Sequence, residues 1–186
     1  MATQPKTGLT YRDLEGFPKD NFRRELIDGE LIVTAAPGRR HQDVVLELGS
    51  RLLAYAKEHG GRVYVAPRDV YLADDTVLEP DVMFVAAQNL ARDQDRFIRG
   101  APDVVVEVSS PSTRRLELVR KLEAYQRFGV PEYWYIDLDA ERVEIYRLTE
   151  GRYGLPTMLS GSSAVDSPLL PAFSVSVEEL LPPQNG

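Results

Sequence analysis

A chain of 186 residues, 43% hydrophobic and 27% charged, lies in the size range of one globular domain with a core of its own. It contains no cysteine, which excludes disulfides, zinc-thiolate centres and thiol nucleophiles and agrees with a reducing compartment. A formal net charge of −7 argues against a protein that coats nucleic acid by bulk attraction, since such affinity comes from lysine and arginine displacing counterions.

The first predicted element, Thr10 to Phe17, is a short helix with Thr10 as cap and Asp13 as its box partner. Phe22 to Ile27 and Leu31 to Thr34 are strands joined through Asp28-Gly29, a strong hairpin signal. A helix follows from about His41 to His59, where Val44, Val45, Leu48, Leu52, Tyr55 and Ala56 recur at helical spacing before Gly60-Gly61. Arg62 to Ala66 and Asp69 to Leu72 have strand character, and a turn at Asp74-Asp75 leads to the strand Asp81 to Val85. Gln88 to Gly100 is polar and is expected on the surface. Asp103 to Ser109 is a strand, and a helix capped in Ser110 to Thr113 is expected to run to about Phe128, closed by Gly129 and Pro131. Glu132 to Asp137 and Arg142 to Leu148 form a second hairpin. Leu155 to Leu159 and Phe173 to Val177 are short strands, and Glu178 to Leu181 is a final helical turn.

The expectation is one domain over residues 1–186, with flexible tails at 1–9 and 182–186, of mixed α and β class: a largely antiparallel or mixed central sheet flanked by helices. No stretch approaches the roughly 18 apolar residues of a membrane span. Met1-Ala2-Thr3-Gln4-Pro5-Lys6 has no apolar stretch behind it, so a cytoplasmic location is expected.

Glu107 stands out. It interrupts Val104-Val105-Val106-Glu107-Val108, a run with the character of a strand buried on both faces. A carboxylate there needs a cation, a metal or several donors, because burying it alone costs several kcal/mol. Asp81 opens the strand after Glu79-Pro80. If the two strands pair antiparallel, both acids meet at one edge of the sheet, where with the Val108 carbonyl they suit magnesium, a hard ion that prefers oxygen. Lys121 lies within the Leu118, Leu122, Tyr125 stripe; it points inward toward the acids, or it pairs on the surface with Glu117. His41 stands at a helix start, where it bonds a phosphate or carboxylate or acts as a cap. Arg114, Arg115, Arg120, Lys121 and Arg127 gather on one helix, and with His41 the pair Arg114 and Arg115 are the candidates for substrate contact; the alternative is ordinary solvated charge. Ser109, Ser110 and Ser112 lack a nucleophile elbow and fit helix capping better. Trp134 between Tyr133 and Tyr135 stacks on a base or packs a core.

Glu79-Pro80-Asp81-Val82, Val106 to Thr113, Lys121 to Tyr125 and Gly129 to Trp134 resemble the Uma-type family of putative restriction endonucleases, within the PD-(D/E)XK nuclease superfamily. Glu25 to Leu31 and the helix opening at His41 are similar to its amino-terminal pattern, so the resemblance covers roughly residues 10 to 180. It implies a restriction-endonuclease-like core, with Asp81 and Glu107 as metal-binding acids, magnesium as cofactor with manganese as substitute, and nucleic acid, DNA first, as substrate. The superfamily lysine belongs two places after the second acid, where this chain has Ser109; the resemblance moves that role to Lys121. Glu30, and after it Glu25, is the additional acid the pattern implies, unless it is a solvated hairpin residue. A homodimer is also implied. Two function classes stay open: a magnesium-dependent nuclease, and a non-catalytic module of the same fold that binds nucleic acid or protein. A metal hydrolase of smaller phosphoesters is a third.

Overall fold

The computed structural model describes residues 7–18, 20–109 and 116–181, with the side chain of Glu117 outside the description. The expected cap at Ser110 to Thr113, the candidates Arg114 and Arg115, and most of both tails lie outside the described residues.

Helix α1, Tyr11–Glu15, starts as expected, its Asp13 carboxylate accepting the Thr10 N–H and hydroxyl at 2.8 Å each. Strands β1, Arg23–Ile27, and β2, Glu30–Thr34, pair antiparallel around Asp28 and Gly29, both at positive φ (52° and 73°). That turn matches the twist of the two strands. Helix α2, Arg39–His59, follows, then β3 (Arg62–Val65), β4 (Asp69–Ala73), β5 (Thr76–Leu78), β6 (Val82–Val85), a 3-10 turn (Ala87–Arg92) and β7 (Phe97–Arg99). Within the segment expected to be only a polar excursion, β7 pairs in parallel with β4.

Next come β8 (Val104–Val108), a wide π turn (Leu116–Lys121), α3 (Leu122–Arg127), β9 (Glu132–Asp137) and β10 (Arg142–Thr149). Strands β11 to β14 (Arg152–Tyr153, Thr157–Ser160, Ala164–Asp166 and Ser174–Ser176) and α4 (Val177–Leu180) complete the described chain. One sheet has the order β2-β1-β5-β4-β7; a larger one runs β11-β10-β9-β8-β6-β3, with β12 beside β10.

β8 lies between β6, antiparallel with Val82 opposite Val106, and β9, parallel to it. All five of its residues are buried, as an uninterrupted apolar run in a covered sheet requires. Alternation along the strand sends Val104, Val106 and Val108 into a core with Leu48 and Leu52 of α2. It sends Val105 into the opposite core, with Tyr125 of α3 and Tyr133 and Tyr135 of β9. Glu107 shares the parity of Val105. The three consecutive aromatics are packing residues: Trp134 is fully buried and its indole N–H donates to Glu132 at 2.8 Å. Among the described residues no helix is long and apolar enough to cross a membrane.

Candidate active site

The antiparallel pairing of β6 and β8 puts Asp81, just before β6, beside the end of β8. Its carboxylate is 1% exposed. Oδ1 accepts from Arg23 Nη2 at 2.7 Å, while Oδ2 accepts the Val108 N–H at 2.8 Å and meets His41 Nε2 at 3.0 Å. Burial alone would raise its pKa, but the His41 hydrogen bond and the Arg23 charge outweigh burial and hold Asp81 well below the usual carboxylate range.

Glu107 is fully buried and its Oε1 receives two donors, Lys121 Nζ at 2.9 Å and the Tyr125 hydroxyl at 2.6 Å. The same ammonium reaches Oε1 of Glu25 at 2.8 Å. Lys121 and Tyr125, four residues apart across the π turn and α3, share one helical face, so both can meet one oxygen. Burial works against the lysine charge, yet Glu107 and Glu25 prevail and its pKa is raised. The Tyr125 hydroxyl is pushed well above its ordinary value by burial and then by Glu107. Glu25 Oε1 also accepts the Glu79 N–H at 2.8 Å, and its Oε2 is buried without a hydrogen-bond partner among the described residues.

These geometries join the amino-terminal hairpin, the Pro-Asp strand, the acidic core strand and the lysine helix in one cluster. A profile of the Uma2 family, described as "putative restriction endonuclease", matches residues 10–178. The chain belongs to the Uma2 family. That membership supports nuclease activity in general. A crystal structure titled as a putative nuclease belonging to DUF820, from Anabaena variabilis ATCC 29413, is similar in fold, with a TM-score of 0.76 and 20% identity over 92% of this chain and 97% of that one. No curated protein matches.

In this Uma2 protein Lys121 is an interior residue, 2% exposed, which removes the surface alternative. Glu30 and Glu25 exchange their expected standing. Glu30 pairs with Arg120 at 2.9 Å, and none of its ion pairs or hydrogen bonds reaches Asp81, Glu107 or Lys121. Glu25 is the acid that joins the cluster. A signal existed: Arg23 and Glu25 are two apart on one strand and so share a face, and Glu25 adjoins Leu26 and Ile27, as Glu107 adjoins valines. Val108 meets Asp81 through its N–H, where a carbonyl directed at an ion was expected. His41 is buried against the acid itself. The Ser109 Oγ accepts the Leu138 N–H at 3.0 Å.

Glu79 adds a titratable group. It pairs with Arg23 Nε at 2.9 Å, but burial outweighs that cation and raises its pKa from 4.5 to about 7. A folded pKa above the unfolded one means that stability present at low pH is lost as pH rises between those two values. The loss reaches on the order of 3 kcal/mol. Chemical unfolding of metal-free protein should therefore give a lower free energy at pH 8 than at pH 5, and Glu79→Gln should flatten that difference. Equal pH dependence in parent and variant would show that Glu79 is not strained by its burial.

Proposed function

We propose that this protein is a magnesium-dependent nuclease that hydrolyses phosphodiester bonds in DNA through Asp81, Glu107 and the relocated Lys121. The observation that carries this reading is the convergence of Lys121 on Glu107, joined by Glu25, beside an Asp81 held ionised at the same sheet edge. Three buried carboxylates against one buried ammonium and a half-buried guanidinium is an arrangement that a packing role alone leaves unexplained, since an apolar set of equal volume is often as stable or more so.

The donor chemistry fits a hard divalent ion. Asp81 and Glu107 would hold it, and the Oε2 of Glu25, without a hydrogen-bond partner among the described residues, is a further oxygen within the same cluster. In the arrangement described, Arg23 and Lys121 take up carboxylate oxygens, and among the described residues no group of three or more His, Cys, Asp or Glu is placed to hold an ion. When bound, magnesium supplies charge for the scissile phosphate and lowers the pKa of a water.

The protein's own part is fixed charge. Lys121 gives one N–H each to Glu25 and Glu107, and an ammonium has a third, which would serve an oxygen of the reacting phosphate. Its raised pKa keeps it charged, and its two acids hold it so that no reorganisation is needed as negative charge grows. Asp81, fixed by His41 and the Val108 N–H, stays ionised at neutral pH and available to a cation. A non-catalytic module is the second reading, favoured by the engagement of both Asp81 oxygens with protein donors.

Incubating the parent with supercoiled plasmid and with single-stranded DNA, in magnesium and in a chelator, separates the two. The proposal expects cleavage in magnesium alone. Binding without cleavage in any divalent metal would favour the module.

A further inference from the structure

We propose that Arg23 is the residue that receives the substrate phosphate, its guanidinium passing from Asp81 to the phosphate when a cation takes that acid; this rests on the nuclease reading above. Three observations carry it. Arg23 bridges Glu79 through Nε at 2.9 Å and Asp81 through Nη2 at 2.7 Å. Its Nη1 has no hydrogen-bond acceptor among the described residues, and a guanidinium carries five N–H donors in a planar fork suited to phosphate. The side chain is 18% exposed and lines an open cavity of about 270 Å3 together with Phe22, Gln42 and Glu79.

The neighbouring arginine makes the contrast. Arg24 lines the same cavity, but both of its terminal nitrogens are spent on Asp20 at 2.7 Å in a two-point pair. Arg23 is thus the arginine at this wall with a whole terminal nitrogen unengaged among the described residues, directly beside the acid that the mechanism uses. Its charge is secure, because Asp81, Glu25 and Glu107 outweigh the effect of burial. A divalent ion on Asp81 would repel the guanidinium and remove its acceptor there. A phosphate oxygen in the cavity would restore that acceptor and neutralise the excess positive charge. Arg23 therefore couples occupation of Asp81 to binding of the polyanion.

The test is fluorescence anisotropy of labelled single-stranded and duplex oligonucleotides over a range of salt, with calcium in place of magnesium so that binding is read without cleavage. Arg23→Gln should weaken binding by about tenfold or more and lower the slope of log affinity against log salt by about one phosphate contact. Arg23→Lys, a charge without the fork, should recover most of the salt slope and part of the affinity. A role confined to holding Asp81 would move the thermal midpoint and leave affinity and slope alone, and that result overturns the inference. If the parent binds and Arg23→Gln binds equally, the inference fails while the nuclease reading stands; if the parent binds no oligonucleotide, both fail. Should Arg23→Gln not fold, labelling of Arg23 by phenylglyoxal in the parent decides the matter: protection by oligonucleotide supports the inference and unchanged labelling overturns it.

Discussion

Lys121→Ala should lower turnover by about a hundredfold or more, as loss of a preorganised donor does, and should also lower stability by about 3–5 kcal/mol. The second effect comes from burial. The ammonium is 2% exposed between Glu25 at 2.8 Å and Glu107 at 2.9 Å, so its removal strands two carboxylates away from water without their shared cation, Glu107 keeping the Tyr125 hydroxyl and Glu25 the Glu79 N–H. A surface pair would be worth less than about 1 kcal/mol. For a domain of this size the loss corresponds to a fall of roughly 10 °C in melting temperature. Manganese should restore part of that stability in the variant, because an ion that binds the folded state alone stabilises it by mass action. Single-turnover cleavage and thermal unfolding, run on the same preparations, check both halves. A large drop in stability with turnover unchanged would make Lys121 a structural cation only.

Asp81→Asn should reduce cleavage by at least about a thousandfold, the several kcal/mol that metal-borne charge supplies to a phosphoryl transition state. It should also change acid stability in a defined direction. The folded pKa of Asp81 lies below its ordinary value, chiefly because the His41 hydrogen bond and the Arg23 charge overcome burial. Its contribution is therefore fully present above the unfolded pKa near 4 and is lost as pH falls through and below it. Parent protein should lose unfolding free energy between about pH 5 and pH 3 that Asp81→Asn does not lose. Parallel acid curves would mean that the Arg23 and His41 contacts add nothing to the folded state.

The acids were legible because their sequence context is unusual. A glutamate inside four valines demands a partner, and Asp28-Gly29 fixes a hairpin by backbone conformation alone. Other features depend on partners far away in the chain. Thr76–Leu78 and Phe97–Arg99 are three-residue strands, too short for a period to register, and each exists because β1 or β4 offers it a ladder. Glu25 and Glu30 are five residues apart on one hairpin. Which of them is buried is settled by β5, whose Val77 pairs with Leu26 and covers the β1 side. The direction of Lys121 was ambiguous at ordinary helical spacing because the Leu116–Lys121 turn is π-helical, a widening that often marks a functional site and that apolar periodicity does not encode. The role of Arg23 acquires meaning only when Glu79 and Asp81, more than fifty positions on, fold against it.

The proposed mechanism requires Asp81 and Glu107 to take one divalent cation together. Calorimetric titration of manganese into metal-free parent, Asp81→Asn and Glu107→Gln tests it most directly, with unfolding curves to confirm that each variant is folded. The expected result is a single saturable site in the parent that is lost in both variants. Equal manganese binding by all three proteins, or none by the parent, would contradict it.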